Sequence, residues 1–243
     1  MEEAQAFYLY GLMAAGAAPT NLGAGIGGTD VNVVHCEGFD ALVSQMPLDA
    51  VDFEPEAVLA HEAVLTGAMP GGTVLPAAFG HLFPTLEELC GKLELASGDI
   101  MANLSRLAGR VEVGLKATWR KANFLADIDT PQLQELTNKA RKSPGDTSLA
   151  IAVGQMVEQL IQDRRADYVA DICHKLAERA VDMRLNDPLT TRMIFSAAFL
   201  ISADQQDAFF RQVEIVAKPY EERLEFHYSG PWPPHNFARI RIS

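Results

Sequence analysis

The sequence predicts an α+β fold built as two domains, and three observations carry that prediction. Short apolar runs alternate with strand periodicity in some places and recur with helical periodicity in others, and neither pattern takes over the chain. From Gly109 onward the runs come in the order strand, helices, strand, strand, helix, strand, the β-α-β-β-α-β order of a ferredoxin-like domain with a helical insertion after its first strand. The length of 243 residues suits one large domain or two of roughly 100 to 130 residues, the commonest domain size. The expected division is therefore 1–108, a mixed α+β domain whose strand order matches no particular topology, and 109–243, a ferredoxin-like domain with its insertion and a proline-rich C-terminal strap.

Taken in order, residues 7–13 are apolar on both alternating faces, with Phe7, Leu9 and Met13 against Tyr8, Tyr10 and Leu12, the pattern of a central strand buried on both sides. Residues 14–30 are small and glycine-rich and read as a flexible loop. Residues 31–36 and 39–46 then form two strands joined tightly at Glu37-Gly38, a hairpin. Pro55 suits a first helical turn, and Val58, Leu59, His61, Glu62 and Leu65 follow at helical spacing up to Gly71-Gly72. Thr73-Val74-Leu75 is a β-prone run stopped by Pro76, hence an edge strand. Thr85 and Glu88 have the spacing of a capping box, and the leucine-rich helix they open is expected to break at Gly98-Asp99.

Residues 111–119 alternate cleanly, with Val111, Val113, Leu115, Ala117 and Trp119 on the apolar side and Glu112, Gly114, Lys116 and Thr118 on a wet one. Thr130-Pro131 caps a short helix, and a long one runs from about Thr147 to Ala180 behind the turn at 143–146. Residues 181–185 and 192–201 read as a hairpin. Ser202 and Gln205 have capping-box spacing before a helix that ends at Pro219, and 223–228 is a half-buried strand.

That strand leads into Gly230-Pro231-Trp232-Pro233-Pro234-His235-Asn236-Phe237. Each proline fixes its φ and pushes the preceding residue toward extended geometry, so the strap is stiff without helix or ladder bonds. Tyr228, Trp232 and Phe237 are too many large rings to leave in water. Trp232 is expected to pack near the domain junction, with 239–242 continuing as an extended tail.

Composition narrows the function. Thirty-two acidic and twenty basic residues give a net charge of −12, which opposes binding to nucleic acid and to anionic membranes. Met1-Glu2-Glu3 is not the basic start of a secretory signal, and 7–13 is too short to span a bilayer, so a cytoplasmic protein is expected. Cys36, Cys90 and Cys173 form no C-x-x-C pair and read as buried thiols. Gly23-Ala24-Gly25-Ile26-Gly27-Gly28 matches G-x-G-x-x-G by letter, but a strand-like run follows where a dinucleotide site needs a helix. His61-Glu62 lacks the second histidine of a zinc protease motif, and no nucleophile elbow occurs. No catalytic, cofactor-binding or metal-ligating residue is expected. The basic run through Arg106, Arg110, Arg120, Lys121, Lys139, Arg141 and Lys142 reads as solvated faces, with an acidic docking partner as the sharper alternative.

Three stretches together resemble the gas vesicle synthesis proteins of the F and L type: Phe7-Tyr8-Leu9-Tyr10-Gly11, Val74-Leu75-Pro76 with Phe79-Gly80, and the Gly-Pro-Trp-Pro-Pro strap followed by an aromatic. Ala77-Ala78 departs from the family pattern, which has a larger or basic residue there. The resemblance implies two domains, the second ferredoxin-like, and a non-enzymatic role as an assembly factor or minor structural component. It implies as partners the hydrophobic gas vesicle shell protein and other vesicle proteins. It marks Tyr8, Tyr10, Pro76, Phe79, Trp232, Pro233, Pro234 and Phe237 as structural or interaction candidates. A reading of another class is a small-molecule-sensing regulatory module, since ferredoxin-like sheets host many functions.

Overall fold

In the computed structural model residues 5–47 and 54–238 are described, and the chain packs as two units, Met1–Glu112 with Pro231–Ser243, and Val113–Gly230. The mixed α+β class is as expected. The expected division followed chain order, whereas packing takes residues 231–243 into the first unit, where Asn236 and Phe237 are held.

The first unit is a sheet in the order β2-β3-β1-β4, formed by β1 (Gln5–Ala14), β2 (Asn32–Cys36), β3 (Phe39–Pro47) and β4 (Leu75–Pro76), with β5 (Leu82–Phe83) also paired to β1. β1 is central, and Ala6 and Tyr8 to Met13 are buried on both faces while Phe7 is half-buried, as its two-sided pattern requires. Its alternation is interrupted. The register with β3 slips between Leu9 and Gly11, a bulge at Tyr10, and beyond it Met13 joins Tyr8 and Tyr10 in one core cluster instead of siding with Phe7 and Leu9. Helix α1 (Pro55–Ala68) packs on that cluster through Val64, Leu65 and Ala68.

The glycine-rich loop is not a free one. Leu22 and Ile26 are buried, Ala24 bridges Asp30, and the Ile26 N–H donates to Tyr10 Oη at 3.0 Å. A Cβ on Gly25 would overlap that hydroxyl, so the glycine serves close approach to a tyrosine and not to a phosphate. Helix α2 (Leu86–Leu95) begins at Thr85, whose hydroxyl accepts from Glu88 N at 3.1 Å. The break before α3 (Ser97–Leu107) falls at Ala96, ahead of the expected Gly98-Asp99.

The second unit's sheet has the order β7-β8-β6-β9, from β6 (Arg110–Trp119), β7 (Asp182–Asn186), β8 (Met193–Ser202) and β9 (Leu224–Trp232). With its strands numbered in chain order this is the arrangement of a ferredoxin-like sheet. Between β6 and β7 stand α4 (Phe124–Ile128), α5 (Pro131–Lys142), α6 (Thr147–Tyr168) and α7 (Lys175–Ala177). The expected single long helix is α6 and α7 joined through a π-helical turn, Val169–His174, which seats Ile172 and Cys173 in the core. Helix α8 (Gln206–Ala217) follows β8. Ser202 does not cap it: a 3₁₀ turn at Ala203–Gln205 intervenes, and Gln206 Nε2 donates to the Ala203 carbonyl.

Trp119 and Asp127 knit this unit together. The fully buried indole donates to Asp127 Oδ2 at 2.7 Å, Tyr168 Oη donates to the same oxygen at 2.7 Å, and the Arg164 guanidinium reaches the Asp127 carbonyl. Burial, then the bond to Asp127, pushes the Tyr168 phenol up to about 12. No helix among the described residues is long and apolar enough to cross a membrane.

Charge divides unevenly. The first unit carries fifteen acidic and five basic side chains against seventeen and fifteen in the second, and the first Lys or Arg of the chain is Lys92. Nearly all of the net negative charge therefore belongs to the first unit.

Gly11 sits where β1, β4 and α1 meet, and a Cβ there would lie 2.7 Å from both Leu65 Cδ2 and the Leu75 carbonyl oxygen. Because the latter is backbone, Gly11→Ala should destabilise the protein by about 1–3 kcal/mol, the usual cost of overpacking a core. Urea denaturation checks this, and an unchanged midpoint would show that β4 yields without cost.

Candidate functional site

Helix α1 has two working faces, and the three stretches of the first unit that carry the resemblance converge on it. His61 turns inward. Its Nδ1 lies 2.8 Å from Tyr8 Oη, and the Gly80 N–H donates to that same hydroxyl at 3.1 Å, so the tyrosine proton is directed at Nδ1. The imidazole also bonds the backbone of Ala77, and the neutral ring carries its proton on Nε2. Burial above all pulls the His61 pKa from 6.5 down to about 4, and burial above all pushes the Tyr8 phenol up to about 12. Phe79 stacks edge-on against both Tyr8 and His61, at centroid separations of 6.1 and 5.6 Å. Pro76 stands in β4 opposite Gly11, and Ala77 N donates to the Tyr10 carbonyl at 2.9 Å. Tyr10 Oη in turn donates to Ser44 Oγ at 3.1 Å. Tyr8, Tyr10, Pro76 and Phe79 are thus one assembly, roofed by α1.

Glu62, the next residue of α1, turns outward to the strap. Its Oε2 is 3.1 Å from His235 Nε2. Partial burial works against the Glu62 charge, yet the hydrogen bond and charge of His235 bring its pKa below the ordinary value. The strap enters as strand: β9 runs on through Pro231 to Trp232, as an edge strand permits, and not as the ladder-free segment its prolines imply. Pro233 and Pro234 are buried, and a turn closed by Phe237 N and Ala238 N on the Pro234 carbonyl follows them. Asn236 clasps Glu112, donating from its backbone N to Oε2 at 2.8 Å and from Nδ2 to Oε1 at 2.6 Å. Glu112 was expected on a wet face, and it is buried because the strap covers it. Burial raises its pKa, with the two Asn236 bonds opposing the rise. Arg106 completes the clasp by donating to the Phe237 carbonyl.

The expected anchor and the observed one differ. Phe237 is fully buried, whereas Trp232 remains 38% exposed. Trp232 instead forms one wall of an open hollow of about 610 Å³ whose other wall is α1. Leu59, Ala63 and Thr66, spaced along one helical face, line it, and Leu59 is 68% exposed. Residues 239–242, the expected extended tail, lie outside the described residues. Among the described residues no group of three His, Cys, Asp or Glu side chains stands close enough to hold a metal ion.

A family model described as gas vesicle synthesis protein GvpL/GvpF matches residues 6–239. The chain belongs to that family. It is 29% identical over 241 residues to gas vesicle protein F of Nostoc sp., covering 96% of this chain and 98% of the relative. The crystal structure of the gas vesicle protein GvpF from Anabaena sp. matches with a TM-score of 0.83 at 28% identity, over 98% of this chain and 97% of that one. That of GvpF from Microcystis aeruginosa gives 0.83 at 26% identity, over 96% and 99%. The likeness therefore spans both units, and the strap and the α1 assembly lie within the family match.

Sequence reading missed His61, Glu62, Glu112, His235 and Asn236 as a set. No local pattern marks it, because the two halves of the clasp lie 124 residues apart.

Two outcomes follow from this geometry. Phe237→Ala should cost about 3–5 kcal/mol, the range for a buried aromatic, and Trp232→Ala distinctly less because much of its ring is already in water; denaturation midpoints of the two variants that came out in the reverse order would refute the assignment of the anchor. The neutral His61 gives the second. Unfolding lets it take a proton at 6.5 that the folded chain refuses down to about 4, so its contribution is complete above pH 7 and is lost as pH falls through that window. At ~1.4 kcal/mol per pKa unit this amounts to roughly 3 kcal/mol. His61→Gln should be less stable than wild type at pH 7 yet show a flatter decline to pH 4 in urea titrations, and parallel declines would sink the idea.

Proposed function

We propose that the protein is a gas vesicle assembly factor or minor vesicle component that acts without catalysis, in the cytoplasm, by binding the hydrophobic shell protein and other vesicle proteins. The family match across residues 6–239 carries the vesicle part of this reading. Support for the binding part comes from an exposed apolar surface on the most acidic unit, formed by Leu59 and Trp232. A shell subunit must keep a strongly apolar surface from aggregating before it polymerises, and a highly charged partner with an apolar seat holds such a subunit in solution.

Deleting the gene in its host should abolish or stunt gas vesicles while growth in shaken culture stays near normal. Electron microscopy and buoyancy report the result, with normal vesicles refuting the vesicle role. Purified protein should also capture the shell protein in a pull-down that persists at 0.5 M NaCl, because apolar burial is not screened as the Debye length falls below ~5 Å. Complete loss of capture at that salt would refute an apolar contact.

A further inference from the structure

We infer that the hollow between α1 and the strap is a docking site for a cationic amphipathic helix, one with an apolar ridge flanked by Lys or Arg. The inference deepens the assembly reading and rests on it for the existence of a protein partner, but the partner's chemistry is read from the surface itself.

Shape and apolarity come first. Leu59, Ala63 and Thr66 repeat at the spacing of one helical face, and the side of α1 they form is turned away from the core that Val64 and Leu65 enter. The leucine that opens this stripe is 68% exposed and gives most of its side chain to solvent instead of to the unit's own core. Trp232 rises opposite it as the second wall, held at its base by the buried Pro233 and Pro234. A tryptophan fixed in place and partly open to water, facing an exposed leucine across a groove, is the arrangement that anchors interface hot spots. The groove has the form in which a helix lays its apolar face.

Charge then selects the occupant. Every charged residue of α1 and its N-terminal flank, Glu54, Glu56 and Glu62, is acidic. No Lys or Arg occurs before Lys92, and the first unit bears fifteen acidic against five basic side chains. An anionic helix or an anionic lipid surface would meet this field unfavourably, while a cationic helix is drawn in and oriented by it. The site is also preformed: Glu62 is engaged by His235 and Glu112 by Asn236, so both walls are fixed before a partner arrives.

The molecule supplies its own reporter. Of its two tryptophans Trp119 is fully buried and bonded to Asp127, so a change in emission on binding belongs to Trp232. The probes are a synthetic peptide helix with a leucine ridge flanked by lysines and its twin with glutamates in their place, titrated into the full-length protein. The lysine peptide should shift Trp232 emission to the blue and bind severalfold more weakly at 0.5 M NaCl than at low salt, and the glutamate twin should not bind. Leu59→Asp, at an exposed position that leaves the fold intact, should weaken the lysine peptide by about tenfold, the equivalent of one lost apolar contact. That variant separates docking from mere charge attraction, since an added carboxylate strengthens nonspecific capture of a cation. Equal binding of both peptides, undiminished binding to Leu59→Asp, or binding without any change at Trp232 would each overturn the site. If the lysine peptide fails to bind while the shell protein is still captured, the assembly reading stands and this docking site falls. If wild-type protein binds the lysine peptide as described but never the shell protein, the docking site stands and shell binding falls.

Discussion

Two phenolic hydroxyls buried beneath a helix govern the first unit. A hydroxyl removed from water costs free energy comparable to a lost hydrogen bond unless it finds partners, and Tyr8 and Tyr10 lie side by side on one face of the central strand with both rings fully buried. Their partners are therefore fixed points. Tyr8 requires His61 and the backbone of Gly80, which sets the position of α1 and of the loop that carries Phe79. Tyr10 requires Ser44 and Ile26, which binds the glycine-rich loop to the sheet. Phenylalanine at either position would fill nearly the same volume and specify none of this.

The strap imposes a second constraint on the same helix. Its stiffness reduces the entropy lost on ordering, as prolines restrict the free chain. Its energy comes from Phe237 and from a carboxylate, Glu112, that would be costly to bury without the two Asn236 donors. Because Glu62 meets His235 while its neighbour His61 meets Tyr8, a single turn of α1 links the strap to the central strand. The open side of the helix is left as a groove with rigid walls.

Much of the fold was legible in the chain because its signals are local. A run apolar on both faces marked β1, a tight Glu37-Gly38 junction the β2–β3 hairpin, and alternation β6; Thr85 and Thr130 announced their helices through side chains that do cap them; the order of runs after Gly109 matches the observed sheet. What stayed hidden is non-local or depends on one displaced residue. The bulge at Tyr10 moves Met13 to the other face, and nothing in the alternation betrays it. Ser202 and Gln205 have a capping spacing that a 3₁₀ turn overrides. The candidate site was legible only in part. Tyr8, Tyr10, Pro76 and Phe79 were marked and do assemble, but Glu112 resembled a solvent-facing residue of an alternating strand until Asn236 covered it. Trp232 drew attention by size, although size does not say which of two rings in a strap is the buried one.

The split makeup of the first unit bears on how the protein is made. Residues 1–112 leave the ribosome well before residues 231–238, with the whole of Val113–Gly230 synthesised between them. At ~5–20 residues per second that interval is on the order of ten seconds, long compared with the formation of helices and hairpins. During it the seat of Phe237 is uncovered and Glu112 has no Asn236, so the first unit waits in an incomplete, apolar state while the second folds. A nascent chain of this protein is consequently most in need of a chaperone at its N-terminal half until residues 231–238 emerge, and the docking of Asn236 and Phe237 is the closure that ends that need.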